Sequence, residues 1–400
     1  MIRVDASPTP AEPVQHRAIS RRRLLMLGGT AAGAALVANT VANTRGRGFA
    51  LLPNSSFAPS TSSATYVPTF ARFAFSGDPS APGTERWQWQ GLQGDLKRPA
   101  ADLVANQLLY ATAVQRSSDP AGITQCLLPR NVASSWRLRD HQGRLVQRDH
   151  DDDTALDVGE PAFQQAAAQF LLAKCREQRW SGVLHDEINA DFQFGWPGAV
   201  PAAYPTPGDW QTAQLRYVRV LARRLKEAGF VLAGNLGTVT RDARSWSEQL
   251  VAAGMTAVSE FFVTGNADGG TMASAENGQW QEQIDWAEWN LAQRRTVVLH
   301  ERQSAEAPIR YGLATFLLVD TGTGVFGADV HYDATTTPYP KCFTDAARLG
   351  PPTDRRLELN GGLWSRQFRN GLVLVNSNEH AMTWHGTELS PTSAAITVHR

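Results

Sequence analysis

Residues 181–186, SGVLHD, and residues 207–235, PGDWQTAQLRYVRVLARRLKEAGFVLAGN, decide the fold of this chain. Each contains an apolar run typical of a buried strand, and an amphipathic helix lies between the two runs. Pro207 marks the start of this helix, with Asp209 as the expected N-cap, and Gly229 is placed to end it. A strand, a helix and a second strand of this length predict two parallel strands joined by a crossover helix.

The same alternation continues on both sides of this unit. Predicted strands cover residues 70–75, 123–128, 181–186, 230–234, 255–262 and 296–300, and the last helical segment leads to the run GVFG at residues 324–327. Predicted helices cover residues 163–174, 242–253, 280–291 and 305–318. Both a closed barrel and an open doubly wound sheet fit this rhythm. Nucleotide-binding folds are disfavoured, because the chain has neither a GxGxxG motif after an early strand nor a GxxxxGKS/T motif.

The pattern changes from Pro351 onward to short alternating segments separated by turn residues. These segments cover residues 363–368, 372–376, 381–384 and 394–399. No helical periodicity occurs among them. The pattern predicts a small antiparallel β domain over residues 351–400, packed on the preceding α/β domain of residues 66–350.

Composition excludes several classes of protein. The 400 residues are 42% hydrophobic and 19% charged, which favours a large buried core over global disorder. Lys+Arg and Asp+Glu both number 38, so no basic excess points to a nucleic-acid partner. The three cysteines lie far apart without CxxC or Cys/His spacing, which supports neither a disulfide framework nor a zinc site. We therefore expect no metal and no cofactor.

The N-terminus resembles a twin-arginine (Tat) export signal. Residues 20–26, SRRRLLM, precede a stretch rich in Ala and Gly that runs to about Ala42. We predict a signal over residues 1–42 and a linker over residues 43–65, rich in Ser, Pro, Thr and Asn. The alternative is an uncleaved anchor, but the segment is short and has few large aliphatic residues. The expected partner is the Tat machinery, membrane contact is transient, and the location is extracellular, periplasmic or at the cell envelope.

Polar side chains close four successive predicted strands. They are, in chain order, Asp186 with Glu187, Asn235, Glu260, and His300 with Arg302. In a parallel barrel the active site lies at the C-terminal ends of the strands. We therefore expect these side chains to converge at one rim.

Strand alternation singles out two carboxylates. Asp186 shares a face with Leu184, and Glu260 shares a face with Val258 and Phe262. If both face the barrel mouth, they lie two strands apart with room for a sugar between them. Glycoside hydrolysis needs such a pair, with one carboxylate as nucleophile or base and the other as acid.

Each candidate also has a structural interpretation. Asp186 would serve as a helix cap or a loop salt-bridge partner, and Glu260 would pair with Arg302. His300 would be a buried strand-end histidine. The next residue, Glu301, is expected to face outward. Trp136 is a candidate sugar platform that could equally belong to the core.

Two other functions stay open. A non-catalytic carbohydrate-binding barrel would keep aromatic platforms without paired carboxylates in the cleft. A metal-dependent hydrolase or deacetylase would need His185, Asp186 and His300 to converge on one ion. His185 and Asp186 are adjacent on a strand and point to opposite faces, which disfavours the metal enzyme.

Several segments resemble a known family. They are WRLRD at residues 136–140, Gly143, LDVGEP at residues 156–161 and SGVLHDE at residues 181–187. Together they are similar to glycosyl-hydrolase-like barrels of the hypothetical family fifteen and to endo-α-1,4-polygalactosaminidase-like proteins. The tail RQFRNGLVLVN at residues 366–376 resembles the start of the β domain that follows such barrels. The resemblance covers residues 66–400.

This resemblance implies an α/β fold, a (β/α)8 TIM-type barrel with a small C-terminal antiparallel β domain. It implies a glycosidase that acts on a polysaccharide or oligosaccharide, with Asp186 as nucleophile or base and Glu260 as acid. The expected substrate-binding residues are Asn235, His300, Arg302, Glu187 and Trp136.

Overall fold

The structure is a computed structural model. It describes residues 66–74, 89–92, 106–116, 132–148, 153–237, 239, 242–263, 271–328 and 341–399. The described residues belong to one compact unit that spans Pro59–Arg400. The predicted signal, the linker and the predicted strand at residues 123–128 lie outside the described residues. Among the helices described, none is both long and apolar enough to cross a membrane.

Sixteen strands and seven helices are described in this part of the chain. The strands are β1 (Thr69–Ala74), β2 (Trp89–Leu92), β3 (Asn106–Ala111), β4 (Val114–Arg116), β5 (Asp153–Ala155), β6 (Gly182–His185), β7 (Val231–Asn235), β8 (Thr256–Ser259), β9 (Val297–Glu301), β10 (Val325–Ala328), β11 (Leu357–Asn360), β12 (Leu363–Phe368), β13 (Gly371–Asn376), β14 (Met382–Trp384), β15 (Thr387–Leu389) and β16 (Ser393–Val398). The helices are α1 (Pro161–Gln178), α2 (Phe192–Gly195), α3 (Pro207–Glu227), α4 (Arg244–Ala252), α5 (Gln279–Ala292), α6 (Glu306–Val319) and α7 (Lys341–Arg348).

Eight parallel strands close into a barrel in the order β1-β10-β9-β8-β7-β6-β3-β2. Strand β2 pairs with β1 as well as with β3, and this pairing removes both sheet edges. The predicted TIM-type barrel is confirmed, and the open doubly wound alternative is wrong. Helices α3 to α6 connect β6, β7, β8, β9 and β10 in turn, as the strand–helix rhythm predicts.

Strand alternation divides the barrel wall into an inner and an outer face. The inner face carries a small apolar cluster made of Ala71, Leu108, Tyr110, Leu184, Ala233, Val258, Val298 and Val325. The outer face packs on the helices in a second, larger core that includes Val183, Leu232 and Leu299. Residues two positions apart on a strand share a face. A predicted polar residue that comes two positions after one of these apolar residues therefore lies on the inner face, at the C-terminal rim.

The crossover helix α3 begins with a capping box. Thr206, and not Asp209, is the N-cap, which corrects the expectation from the sequence. The Thr206 hydroxyl accepts a bond from the Asp209 backbone N–H at 3.2 Å, and the Asp209 carboxylate accepts one from the Thr206 N–H at 3.2 Å. Such a cap stabilises a helix by about 1 kcal/mol. Gly229, at φ 81°, follows the helix as predicted.

An antiparallel sheet of order β11-β12-β13-β16 and a β14–β15 hairpin follow the barrel. Four of these six strands coincide closely with the predicted segments, and β11 and β15 were not predicted. Phe368, Val373 and Val375 belong to the same apolar core as the outer barrel face. The Arg366 guanidinium donates to the carbonyl oxygens of Leu317 and Asp320, both at 2.8 Å. The sheet therefore packs on the C-terminal end of α6, while its status as a separate domain stays a prediction.

Candidate active site

The side-chain amide of Asn235 joins the two predicted carboxylates. Its Nδ2 donates to Asp186 Oδ1 at 2.8 Å and to Glu260 Oε2 at 2.7 Å. Strand β7, which ends with Asn235, lies between β6 and β8 in the barrel wall. Because both acceptor oxygens bind one nitrogen, they lie no further apart than these two hydrogen bonds allow. Asp186, Asn235 and Glu260 thus converge as predicted.

The orientation of the Asn235 amide is fixed by its neighbours. Its Oδ1 accepts a hydrogen bond from the Gly237 N–H at 2.9 Å, so the opposite end must be the NH2 group. The Gly237 carbonyl in turn accepts from the Glu260 N–H at 3.0 Å and from the Ser259 hydroxyl at 3.2 Å. Gly237 adopts φ 64°, a conformation that favours glycine. One glycine therefore positions both Asn235 and Glu260.

Glu260 lies in a turn, whereas the sequence suggested the late part of a strand. Strand β8 ends at Ser259, and Glu260, Phe261 and Phe262 follow it. The Phe262 N–H donates to the His300 carbonyl at 3.0 Å, so the turn is tied to β9. A residue just past the strand end lies at the C-terminal face of the barrel, where it can contact a bound ligand.

Asp186 accepts hydrogen bonds from three donors. The Glu187 N–H donates to its Oδ1 at 2.8 Å, beside the bond from Asn235, and the Tyr110 hydroxyl donates to its Oδ2. Burial and the nearby charge of Asp186 raise the pKa of Tyr110 well above its usual range, so the phenol keeps its proton and acts as a donor. An ionised carboxylate, which only accepts hydrogen bonds, satisfies all three donors at once.

Glu187 forms an ion pair with Arg148, and both side chains are largely buried. The same guanidinium donates from Nε to the Gly195 carbonyl at 3.0 Å and lies 4.5 Å from the centre of the Trp196 ring. Burial lowers the pKa of Arg148, but the charge of Glu187 outweighs it, and the pKa is raised overall. Glu187 adopts φ 61°, which is rare for a residue with a side chain. It lies at the rim as predicted, held in place by Arg148.

His300 lies on the inner face of β9, two positions after Val298, and is fully buried. Its ring packs beside Gly327 of β10, where a Cβ atom would come within 2.9 Å of the His300 Cδ2. Glycine at this position leaves room for the imidazole. Arg302 follows the end of β9 and is partly exposed at the same rim.

His185 and Trp136 lie behind the barrel wall. Because His185 Nδ1 is 2.8 Å from the Asp186 carbonyl, that nitrogen is the donor, and Nε2 accepts from the Tyr217 hydroxyl at 3.0 Å. Burial lowers the pKa of His185 to about 4, so the ring is neutral. Trp136 packs edge-on against Phe163 of α1, with ring centres 5.9 Å apart, and the structure does not bring it to the carboxylates.

The donor set disfavours a metal centre. His185 points away from the Asp186 side chain, so the three groups that a metal enzyme would need do not meet. In the part of the chain that the structure covers, no group of three His, Cys, Asp or Glu side chains could hold a metal ion.

Glu301 faces outward from the barrel as expected, yet it is buried beneath α6. Its exposed fraction is 0%, and neither carboxylate oxygen has a hydrogen-bond partner among the described residues. The carboxylate fills the space beside Gly312, where a Cβ atom would overlap it. Burial raises the pKa of Glu301 well above its usual range.

Two functional residues escaped the sequence analysis. Tyr110 belongs to β3, which was not predicted, although alternation from Leu108 and pairing with Leu184 place it on the inner face. Recognising NQLLYA at residues 106–111 as a strand would have revealed it. Arg148 lies 39 residues before Glu187, and no local pattern links the two.

Three solved structures that match this chain have sequence identities between 8% and 16%. The glycoside hydrolase domain of PelA from Pseudomonas aeruginosa is 16% identical, with a TM-score of 0.47 and coverage of 66% of this chain and 96% of that chain. An α-amylase from Geobacillus thermoleovorans, complexed with acarbose, is 9% identical, with a TM-score of 0.43 and coverage of 80% and 89%. An α-amylase from Malbranchea cinnamomea is 8% identical, with a TM-score of 0.44 and coverage of 78% and 84%.

No curated protein matches the sequence. A family model does match, and it extends from β3 to β13 over residues 107–372. Its description agrees with the resemblance carried by the segments around Trp136, Leu156 and Ser181. The chain belongs to the family described as hypothetical glycosyl hydrolase family 15.

Proposed function

We propose that this protein is a retaining glycoside hydrolase that cleaves a polysaccharide or oligosaccharide outside the cytoplasm. Asp186 is the nucleophile and Glu260 the acid and base. The observation that carries the proposal is the Asn235 amide, which donates to both carboxylates at 2.8 and 2.7 Å. A non-catalytic carbohydrate-binding barrel has no need for two acids held at one shared donor.

The shared donor supports retention of configuration. In retaining enzymes the two carboxyl groups lie about 5–5.5 Å apart, whereas inverting enzymes need about 6.5–9.5 Å to admit a water molecule. Two carboxylate oxygens that bind the same nitrogen cannot lie further apart than their two hydrogen bonds together allow, which favours the short class. The nucleophile then attacks the sugar directly, without a water between the carboxylate and the anomeric carbon.

The hydrogen bonds support the assignment of roles. Asp186 accepts hydrogen bonds from Tyr110, Glu187 and Asn235, and these three donors hold its carboxylate in one orientation. In the first step an Asp186 oxygen bonds to the anomeric carbon while Glu260 protonates the departing glycosidic oxygen. In the second step Glu260 takes a proton from water, the water oxygen bonds to the anomeric carbon, and Asp186 leaves. One water molecule is consumed for each bond cleaved.

The test is a polysaccharide panel assayed with the wild type, Asp186→Asn and Glu260→Gln. We expect hydrolysis by the wild type, with the product retaining its anomeric configuration by proton NMR, and loss of about 10³-fold or more in kcat for both variants. On an aryl glycoside, whose leaving group needs no proton, azide should partly rescue Glu260→Gln by replacing water in the second step. Equal activity of the wild type and Asp186→Asn would remove Asp186 from the mechanism, and inverted product would refute retention.

We also propose export by the twin-arginine pathway, supported by the SRRRLLM segment at residues 20–26. The double change Arg21→Lys and Arg22→Lys should leave the precursor in the cytoplasm, as measured by fractionation and immunoblotting. Normal secretion of this variant would contradict the assignment.

A further inference from the structure

The short helix α2 and its C-cap carry three aromatic residues with different environments. Phe192 and Trp196 are buried, and their rings stack with centres 5.9 Å apart. Phe194, between them, is 50% exposed. The segment follows β6 directly, so it lies on the side of the barrel where Asp186 and Glu187 emerge.

The two buried rings anchor the segment that carries Phe194. Phe192 meets Trp210 of α3 edge-on, with ring centres 4.9 Å apart. The Trp210 indole N–H donates to the Asn189 carbonyl at 2.9 Å. Trp196 lies beneath the Arg148 guanidinium. Phe194 is therefore presented by a packed segment, and its exposure is not the result of a loose loop.

The Phe194 ring lies next to the residues that hold the carboxylate pair. A Cβ atom on Gly237 would come within 3.3 Å of the Phe194 Cε1 and Cζ atoms. Gly237 donates to Asn235 and accepts from the Glu260 N–H, so a single residue separates the ring from both. The ring also lies near that of Phe261, with centres 6.4 Å apart and the two planes tilted.

We propose that Phe194 is the aromatic platform of a sugar subsite beside the Asp186–Glu260 pair, where one face of a pyranose ring of the substrate packs on it. This inference rests on the proposed glycosidase activity. An aromatic face carries negative charge density, and it attracts the C–H groups that a pyranose ring presents on its apolar face.

The surroundings favour a sugar over other occupants of this ring. Asn189 and Glu187 lie beside Gly195, the residue after Phe194, and Glu260 accepts a hydrogen bond from Asn235 nearby. These polar groups suit a ligand that carries hydroxyl groups around an apolar face. A hydrocarbon chain would displace water from these polar groups without offering them any hydrogen bond in return. A pyranose satisfies both the aromatic face and its polar border.

The test uses hexasaccharides of α-1,4-glucose, β-1,4-glucose, β-1,4-N-acetylglucosamine and α-1,4-galactosamine as probes. Binding is measured by calorimetry in an Asp186→Asn background, so that no probe is consumed. Phe194→Ala should raise the Kd of the best-bound probe about tenfold, which corresponds to a lost stacking contact. Phe194→Leu, which keeps apolar bulk without a ring, should weaken binding similarly, and Phe194→Tyr should restore Kd to within about twofold of wild type.

Matched controls separate binding from folding. Leu357→Ala removes a side chain that is 59% exposed in the C-terminal sheet, and it should leave Kd unchanged. In the Asp186-containing enzyme, Phe194→Ala should raise KM with little change in kcat, since the ring acts on binding. The unfolding midpoint of each variant should stay within about 3 °C of its parent, as expected for exposed positions.

The outcomes distinguish the subsite from the catalytic proposal. An unchanged Kd in Phe194→Ala, or no binding of any probe by the parent protein, overturns the subsite even if Asp186→Asn abolishes hydrolysis. If Asp186→Asn keeps full hydrolysis, binding is read from KM instead, and a raised KM in Phe194→Ala then refutes the catalytic role of Asp186 and retains the subsite. A change in sedimentation coefficient without a change in Kd would assign the ring to an interface between copies and overturn the proposal.

Discussion

Glu260 and Glu301 lie at the C-terminal ends of neighbouring strands of the same barrel, yet their environments are opposite. Glu260 continues the inner face after β8 and accepts a hydrogen bond from Asn235. Glu301 ends β9 on the outer face, where its carboxylate is buried under α6 and has no hydrogen-bond partner among the residues described. An acidic residue at a strand end is therefore not a site residue by position alone. The parity of strand alternation decides which face it occupies.

Strand alternation also places Asp186 and His300 on the inner face and their neighbours His185 and Glu301 on the outer face. In each pair one residue continues the inner face at the rim and its neighbour packs against a helix. His185 bonds Tyr217 behind the wall, while Asp186 bonds Asn235 within the mouth. The two members of each pair are adjacent in sequence, but their side chains lie on opposite faces of the barrel wall.

The first prediction tests this difference by replacing each of the two glutamates with glutamine in turn. Glu260→Gln should lower kcat about 10³-fold, roughly 4 kcal/mol in activation free energy, because the leaving oxygen loses its proton donor. Glu301→Gln should change kcat by less than about twofold, since its side chain faces α6. Steady-state kinetics on the same glycan measure both. Comparable losses in the two variants would show that the face of the strand does not set the function.

A second prediction concerns the Asn235 amide, which donates to both carboxylates. Asn235→Ala should lower kcat about 10²-fold, or about 2.7 kcal/mol, because both carboxylates lose a shared donor. The control is Asn290→Ala, which removes a fully buried amide that donates to the Trp286 carbonyl at 2.9 Å. That variant should lower the unfolding midpoint and leave kcat unchanged. If both variants lose activity equally, the Asn235 effect is one of stability.

A third prediction concerns the stability of the folded protein and the buried carboxylate of Glu301. Below about pH 4.3, the usual pKa of a glutamate in an unfolded chain, both states hold the proton. Above it the unfolded chain releases the proton while buried Glu301 keeps it, because burial raises its pKa. The folded state therefore loses up to about 1.4 kcal/mol for each pH unit until its own pKa is reached.

Glu301→Gln removes this dependence. Relative to the wild type, the free energy of unfolding of the variant should be larger at pH 7 than at pH 5, as measured by urea titration. Comparing the two proteins at each pH cancels the cost of burying the amide and the titration of all other groups. A difference that stays constant across this range would mean that Glu301 ionises normally in the folded state.

Much of the barrel could be predicted because its elements carry local signals. The amphipathic face of α3, Gly229 after it and the apolar run of β7 all report structure within a few residues. The strands β2 and β3 were missed because they lack such a repeating unit. Tyr110 was lost with β3, although its hydroxyl bonds the proposed nucleophile.

The strand-end residues of the candidate site could be predicted from the sequence, whereas the residues that hold them in place could not. Asp186, Asn235 and Glu260 stand at strand ends, where the barrel geometry forces convergence. Arg148 reaches Glu187 across the fold, and Trp136 packs on Phe163 although its aromatic character suggested a sugar platform. Partners so distant in sequence leave no periodic trace for a local pattern to detect.

By itself, the sequence determined the alternation of strands and helices and the acids that stand at strand ends. Those properties follow from local periodicity and turn chemistry, which act over a few residues. The tertiary structure decided that Asn235 bridges two carboxylates, that Glu301 is sealed beneath Gly312, and that Phe194 is left exposed beside the pair. These outcomes depend on barrel closure and helix docking, because only packing between distant segments sets which side chains meet and which are excluded from water.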